Sequence, residues 1–336
     1  MRVLLCEEPG SLRIDERPKP SPGPGEVMLR IRRIGVCGTD LHIFQGKHPY
    51  LEYPRVMGHE LSGEIAAAGS GTKLAEGTPV YVMPYLTCGR CVACRAGKTN
   101  CCMSLQCLGV HCDGGMAEYL VLPESVVFPM GDLPFHEAAL VEFLAIGAHA
   151  ARRVEIRGGE RTLVVGAGPI GICTAMFAKA RGAEITFIDP RQDRLDFCER
   201  RLGLGKGITV DDRTAERLGD LTGGEYFDLV FDATGNAQAM ERSLAWVAHG
   251  GTLVFVGVTR ANIAFAGPEF HKRETTIKGS RNATIEDFRE VIDSMATGRV
   301  KVAGLITHRG SLEDAATQFP VWIRPETGVI KAMIEI

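Results

Sequence analysis

From 161 to 190 the chain reads RTLVVGAGPIGICTAMFAKARGAEITFIDP: a short β-branched run, a glycine-rich turn, a helical stretch and a second short run. Strands joined by a helical crossover lie parallel in one sheet and need helices over its faces. The rhythm begins near Glu137 and continues past 250, with helices expected at 170–181, 191–202 and 237–248 between the strands RTLVVG, EITFID, FDLVFDATG and GTLVFVG. The fold class expected is α/β, with a doubly wound parallel sheet. The first 130 residues have a different texture, rich in Gly and Pro, with short runs EVMLRIRRI, SGEIAAAG, TPVYVM, AEYLVLP and SVVFPM between turns. They read as a β-rich domain with long loops. After TTIKGS come helices at 284–296 and 312–318 and a last strand, GVIKAMIEI. The tail is expected to return to the first domain, which then comprises 1–143 and 281–336, around an inserted domain at 144–280.

At 336 residues the chain can bury about three quarters of its unfolded surface, enough for two cores. The 38 basic and 41 acidic residues nearly cancel, and neither sign forms a block. No footprint of nucleic acid or membrane results, and a small-molecule partner is expected. Glu7 and Glu8 interrupt the opening MRVLLCEEPG before any signal-peptide centre can form, and the apolar run 162–178 is broken by GAGPIG and short of the ~20 residues a span requires. The expected location is the cytoplasm. There, clustered cysteines read as metal ligands or redox groups rather than disulfides.

GAGPIG follows a strand and opens a helix, the context in which G-x-G-x-x-G binds a dinucleotide. Gly166, Gly168 and Gly171 let the backbone approach a pyrophosphate at the helix N-terminus, and Pro169 costs nothing where its missing N–H would be unpaired. Asp189, at the end of the next strand, is placed to accept hydrogen bonds from both ribose hydroxyls and to repel a 2′-phosphate, which favours NAD over NADP. Arg191 and Arg194 could in principle receive such a phosphate, but they read first as solvated positions on the opening turns of a helix beginning RQDR. Ile170, Arg194, Thr234 and Val256 complete the cofactor-side candidates.

CGRCVACRAGKTNCC at 88–102 holds five of the eleven cysteines. Cys88, Cys91, Cys94 and Cys102 give four soft ligands on one loop, a closed tetrahedral shell for a structural Zn2+, with Cys101 a spare thiol. An iron–sulfur cluster also takes four thiolates, but nothing else in the chain suits electron transfer. A second, open site needs mixed ligands. Cys37 in CGTDLH and His59 with Glu60 in GHE, or Glu142 later in the chain, could hold a catalytic zinc with a position left for substrate.

With CGTDLH, GHELSGE, the four-cysteine loop and GAGPIG plus Asp189 in this order, the chain resembles the zinc-dependent medium-chain dehydrogenases/reductases over essentially its whole length. The resemblance implies a GroES-like catalytic domain, a Rossmann domain, catalytic and structural zinc ions, NAD(P)-dependent oxidation of an alcohol, and a homodimer or homotetramer. It implies that Cys37 and His59 are the firm catalytic zinc ligands, that Glu60 is a ligand in some states, and that Glu142 supplies a fourth ligand or holds water. The family's Glu-Pro-Leu reads Glu-Phe-Leu here. Thr39 would contact the alcohol oxygen, His42 would pass its proton to solvent, and Asp40 would accept the second ring N–H of His59.

The loops expected near the site are polar: His48, Tyr50, His111, Asp113 and SRN at 280–282. They resemble the polyol and sugar-acid branch of the family, of L-galactonate 5-dehydrogenase type, and Arg281 could pair with a substrate carboxylate. A threonine or simple-alcohol dehydrogenase, a zinc-free reductase of the same fold, and a regulatory protein that binds NAD without turnover are the alternatives.

Overall fold

The computed structural model describes residues 1–48 and 51–336; Tyr50 lies outside them. Two compact units divide the chain: 1–143 with 284–292 and 305–336, and 144–283 with 293–304. Residues 281–283 and 293–304, expected with the first domain, thus cluster with the second. The division falls inside the helix Ile285–Ala296, where no turn residue marks it in the sequence. Among the described residues, no helix is long and apolar enough to cross a membrane.

In the second unit six parallel strands stand in the order Lys206–Thr209, Glu184–Asp189, Arg161–Val165, Phe227–Asp232, Val247–Phe255, Thr276–Gly279. The order runs outward in both directions from Arg161–Val165. That reversal opens a crevice beyond the carboxyl ends of Arg161–Val165 and Phe227–Asp232, where doubly wound sheets bind ligands. Continuous apolar strands fit a sheet covered on both faces, and Val164, Phe187 and Phe231 are fully buried. The helix expected at 170–181 spans Pro169–Ala180, while that expected at 237–248 stops at Ser243. Val247 pairs with Phe227 instead, starting the next strand.

In the first unit a hairpin, Arg2–Glu8 with Ser11–Glu16, pairs with Arg55–Val56. The larger sheet runs Val127–Pro129, Pro79–Val82, Glu60–Ala68, Glu26–Val36, Lys331–Glu335, Ile306–Ser311, and Tyr119–Pro123 joins it against Glu26–Val36. Neither the N-terminal hairpin nor Ile306–Ser311 was expected from sequence. Two register pairs matter for the site: Gly35 faces Glu60, and Val36 faces Ala332. The strand ends therefore bring Cys37, Glu60 and Lys331 to one place.

Within the second unit the helix Pro169–Ala180 passes so close to Gly147 that a Cβ there would meet the backbone of Cys173 and Thr174. Backbone cannot step aside as a flexible side chain would. Gly147→Val is accordingly expected to lower the Tm by roughly 3–10 °C, the effect of about 1–3 kcal/mol of overpacking. Thermal unfolding followed by circular dichroism checks this, and an unchanged Tm would contradict the close approach.

Candidate metal centres and cofactor site

The ligand atoms of Cys88, Cys91, Cys94 and Cys102 all lie within 4.8 Å of one another. Cys91 caps the short helix Val92–Arg95, its Sγ accepting from the Cys94 N–H at 3.5 Å, and Cys102 Sγ accepts from the Cys88 N–H at 3.3 Å. Hydrogen bonds from the Cys94 and Met103 backbone draw the Cys91 thiol down to about 6, whereas burial pushes Cys94 up to about 12. These bonds favour the thiolate at Cys91. The loop has little core of its own: no residue of Val92–Arg95 is buried, and Val92 and Met103 stand exposed. Four converging thiols without an apolar core fit a structural zinc ion. Cys101 is exposed and outside the group.

The second cluster forms where a turn and two strand ends meet. Cys37, His59 and Glu60 also present ligand atoms within 4.8 Å of one another, with His59 and Glu60 buried. His59 Nδ1 is buried without a hydrogen-bond partner. A thiol, an imidazole and a carboxylate converging on one point fit a catalytic zinc. Burial works against protonated His59, but the negative charges of Asp40 and Cys37 prevail and raise its pKa well above the usual value.

Asp40 was expected to accept a ring N–H of His59. The two stand 3.7 Å apart, beyond hydrogen-bond reach, because both Asp40 oxygens serve the backbone: Oδ2 accepts from Cys37 N–H at 2.9 Å and Oδ1 from Gly58 N–H at 3.3 Å. Asp40 fixes the two loops that carry the ligands. Thr39 sits half-buried on the same helix, Gly38–Phe44, and His42 faces outward from it. Partial burial, with the Lys47 charge, lowers the His42 pKa.

Glu142 is buried at the start of Val141–Arg152, and the Tyr85 hydroxyl donates to its Oε1. It lies outside the 4.8 Å group. Burial, foremost, raises its pKa. Three residues of this surrounding carried no sequence signal that was used. Tyr85 is one. Cys107, opposite Tyr85 in a two-stranded ladder, has its thiol pushed up to about 12 by burial. Lys331 is the third: only 2% exposed, it donates to Glu60 Oε1 at 2.6 Å and Oε2 at 2.8 Å. A lysine inside the apolar strand VIKAMIEI was the available clue.

On the cofactor side, Gly166 has φ +96° and a Cβ on Gly171 would strike Gly166 O, so strand and helix close as the motif requires. A Cβ on Gly168, the N-cap of Pro169–Ala180, would meet nothing within 4 Å. That open space at a helix N-terminus, next to Ile170, suits a pyrophosphate. Asp189 Oδ2 accepts from Ala167 N–H and Oδ1 from Arg191 N–H, both at 2.8 Å. Each oxygen keeps a lone pair for a ribose hydroxyl. Arg191 forms a two-pronged pair with Asp193, and Arg194 is half-buried rather than solvated. Thr234 and Val256 are joined through Asp232, which sequence reading overlooked: its carboxylate accepts from Thr234 N–H, Thr234 Oγ1 and Ser243 Oγ, and its carbonyl from Val256 N–H.

The substrate-side candidates separate. Asp113 is occupied by Arg17, Arg55 and the Val56 N–H. His111 accepts at Nδ1 from the Cys107 N–H and holds its own turn. His48 is half-buried after the helix Gly38–Phe44, and Arg281 is exposed in the second unit.

The alcohol dehydrogenase GroES-like domain family matches residues 23–132, and the zinc-binding dehydrogenase family matches 169–297. The chain is 44% identical to the L-galactonate-5-dehydrogenase of Escherichia coli over 314 residues, 92% of this chain and 91% of that one. It is 33% identical to the D-altritol 5-dehydrogenase of Agrobacterium fabrum over 322 residues, 94% of each. The crystal structure of the alcohol dehydrogenase rspB from Escherichia coli, complexed with NADH, superposes with a TM-score of 0.94 at 29% identity, covering 100% of this chain and 99% of that one.

Cys94→Ser is expected to lower the zinc content by about one ion per chain and to make the loop 88–102 sensitive to protease. Metal analysis and limited proteolysis check this; full zinc content in the variant would argue against a closed four-thiolate shell.

Proposed function

This chain belongs to the zinc-binding alcohol dehydrogenase family and is an oxidoreductase acting on CH–OH groups, and we propose that it oxidises a secondary alcohol of a polyol or sugar acid, L-galactonate-like in chemistry, to the ketone with NAD. The relationship to the L-galactonate-5-dehydrogenase carries the substrate class. In overall balance the alcohol loses a hydride to NAD and a proton to solvent.

Cys37 and His59 hold the catalytic zinc, with Glu60 and Glu142 as the available carboxylates, and Cys88, Cys91, Cys94 and Cys102 hold the structural one. When bound, the catalytic ion supplies a Lewis acid that lowers the pKa of the substrate hydroxyl. Asp40 keeps Cys37 and His59 at fixed separation by bonding the backbone at Cys37 and Gly58. Thr39 contacts the reacting oxygen and passes its proton to His42, whose outward position on Gly38–Phe44 suits release to water. Gly166, Gly168, Pro169, Ile170 and Gly171 cradle the pyrophosphate, and Asp189 orders the cradle through Ala167 while binding the ribose. Thr234 and Val256, held by Asp232, border the same crevice, and Arg194 flanks Asp189.

Arg281, in the second unit, is the partner for a substrate carboxylate, and His48 and His111 are the polar substrate candidates of the first unit. None of the eleven cysteines is paired in a disulfide, which suits the reducing cytoplasm. The protein works there as a homodimer or homotetramer.

A panel of aldonates and polyols with NAD and NADP, read by absorbance of the reduced nicotinamide, tests the assignment. Sugar acids should surpass their uncharged polyols with NAD, and Arg281→Ala should erase the difference; a preference for polyols would remove Arg281 from this role. The pH profile tests the relay. Neutral His42 is the proton acceptor, and its lowered pKa places the acid limb of kcat/KM below the usual 6.5. Activity falls as pH drops through this lowered pKa and His42 becomes charged. His42→Gln should abolish this limb and lower kcat by about 10²-fold; an unaltered limb would exclude His42.

A further inference from the structure

His59 is aimed by the backbone that carries it. Among the described residues nothing hydrogen-bonds its Nδ1, and Asp40 stands out of reach at 3.7 Å. Metal-binding histidines are ordinarily oriented through their second nitrogen, so here the orientation has to come from residues 56–58, which lead into the ring. That stretch is gripped by residues 113–116. Gly114 N–H donates to Val56 O at 2.7 Å, Met116 N–H to Met57 O at 2.9 Å and Gly115 N–H to Gly58 O at 2.9 Å. Gly58 has φ +95°, and a Cβ on Gly114 would come within 2.2 Å of its carbonyl oxygen. Gly109 presses on the same residue, where an added Cβ would lie 2.6 Å from Gly58 N. Backbone meets backbone, with no side chain between to yield.

One bond of the grip belongs to a side chain. Asp113 Oδ1 accepts from the Val56 N–H at 3.1 Å. Val56 is buried, and an amide N–H left there without an acceptor would be costly. Arg55 reaches the same oxygen at 3.3 Å, and Arg17 reaches the other at 2.9 Å. The Asp113 side chain is 44% exposed, so these ion pairs are screened and add little stability by themselves. Their effect is to keep Oδ1 over Val56.

We propose that Asp113 is a positioning residue for the catalytic metal: by satisfying Val56 it sets the backbone from which His59 reaches the ion. The proposal rests on the reading of Cys37 and His59 as a metal centre. An acid that the sequence places among the polar substrate-side loops thus acts through the histidine's carrier strand, without touching substrate.

Dialysis of the full zinc-loaded chain against a chelator, with zinc counted over time and the loop 88–102 probed by protease, tests this. Asp113→Ala should lose one of its two ions about tenfold faster than wild type, the scale expected when a ligand's outer partner is removed, and kcat should fall by a similar factor. The loop should stay protected, which identifies the lost ion as the catalytic one. Asp113→Asn gives up the charge but keeps an acceptor for Val56, and should release zinc at the wild-type rate. A merely structural role would lower the Tm of Asp113→Ala and leave zinc release alone. Unchanged release in Asp113→Ala, or fast release in Asp113→Asn, would overturn the proposal, and the second outcome can be read even if Asp113→Ala fails to fold. A wild-type chain that binds a single zinc, with the loop protected, would instead overturn the metal centre itself.

Discussion

Putting carboxylates inside a protein is tolerable only where each meets a counter-charge or a donor, and the first unit places three of them together. Asp40 and Glu60 are fully buried and Glu142 nearly so. Each has a different solution. Asp40 takes two backbone N–H groups, Glu142 takes the Tyr85 hydroxyl, and Glu60 takes a lysine. The sheet is arranged so that these partners arrive: Glu26–Val36 lies between Glu60–Ala68 and Lys331–Glu335, and its end leads directly into Cys37. Remove the central strand and the donors have no common address.

The second unit follows the same logic with weaker charges. Asp189 and Asp232 each end a strand of the sheet; Asp189 accepts from the Ala167 and Arg191 N–H groups, and Asp232 from the Thr234 N–H and the Thr234 and Ser243 hydroxyls. Burial raises the pKa of Asp232, and its bonds from Thr234 and Ser243 offset part of that. These two acids stiffen the crevice at the switch point of the sheet. A crevice set before ligand arrives loses less entropy on binding.

Much of this is legible in the sequence where the signal is local. The spacing of Cys88, Cys91, Cys94 and Cys102 is fixed by one loop, and the three glycines of 166–171 sit beside the strand and helix they join. The alternation of strand and helix is likewise local, and the parallel sheet follows from it. What escaped depends on distant pairing. Asp113 looks like a free polar residue until Arg17 and Arg55 are folded against it. Ile306–Ser311 is a strand because Lys331–Glu335 lies alongside, and its own residues, ITHRGS, have no alternating pattern. Lys331 was hidden for the same reason: a cation in an apolar run has no visible partner until a glutamate from the early part of the chain is brought to it.

The separation in sequence between Lys331 and its partners has a consequence for how the molecule comes together. The lysine bonds Val36 across 295 residues and Glu60 across 271. Loop closure over such lengths is entropically costly and slow, so these contacts form after the local hairpins and the strand–helix units. The interior carboxylate therefore waits, without its cation, until the last strand docks. Until that strand has docked, the scaffold keeps its most charged corner open.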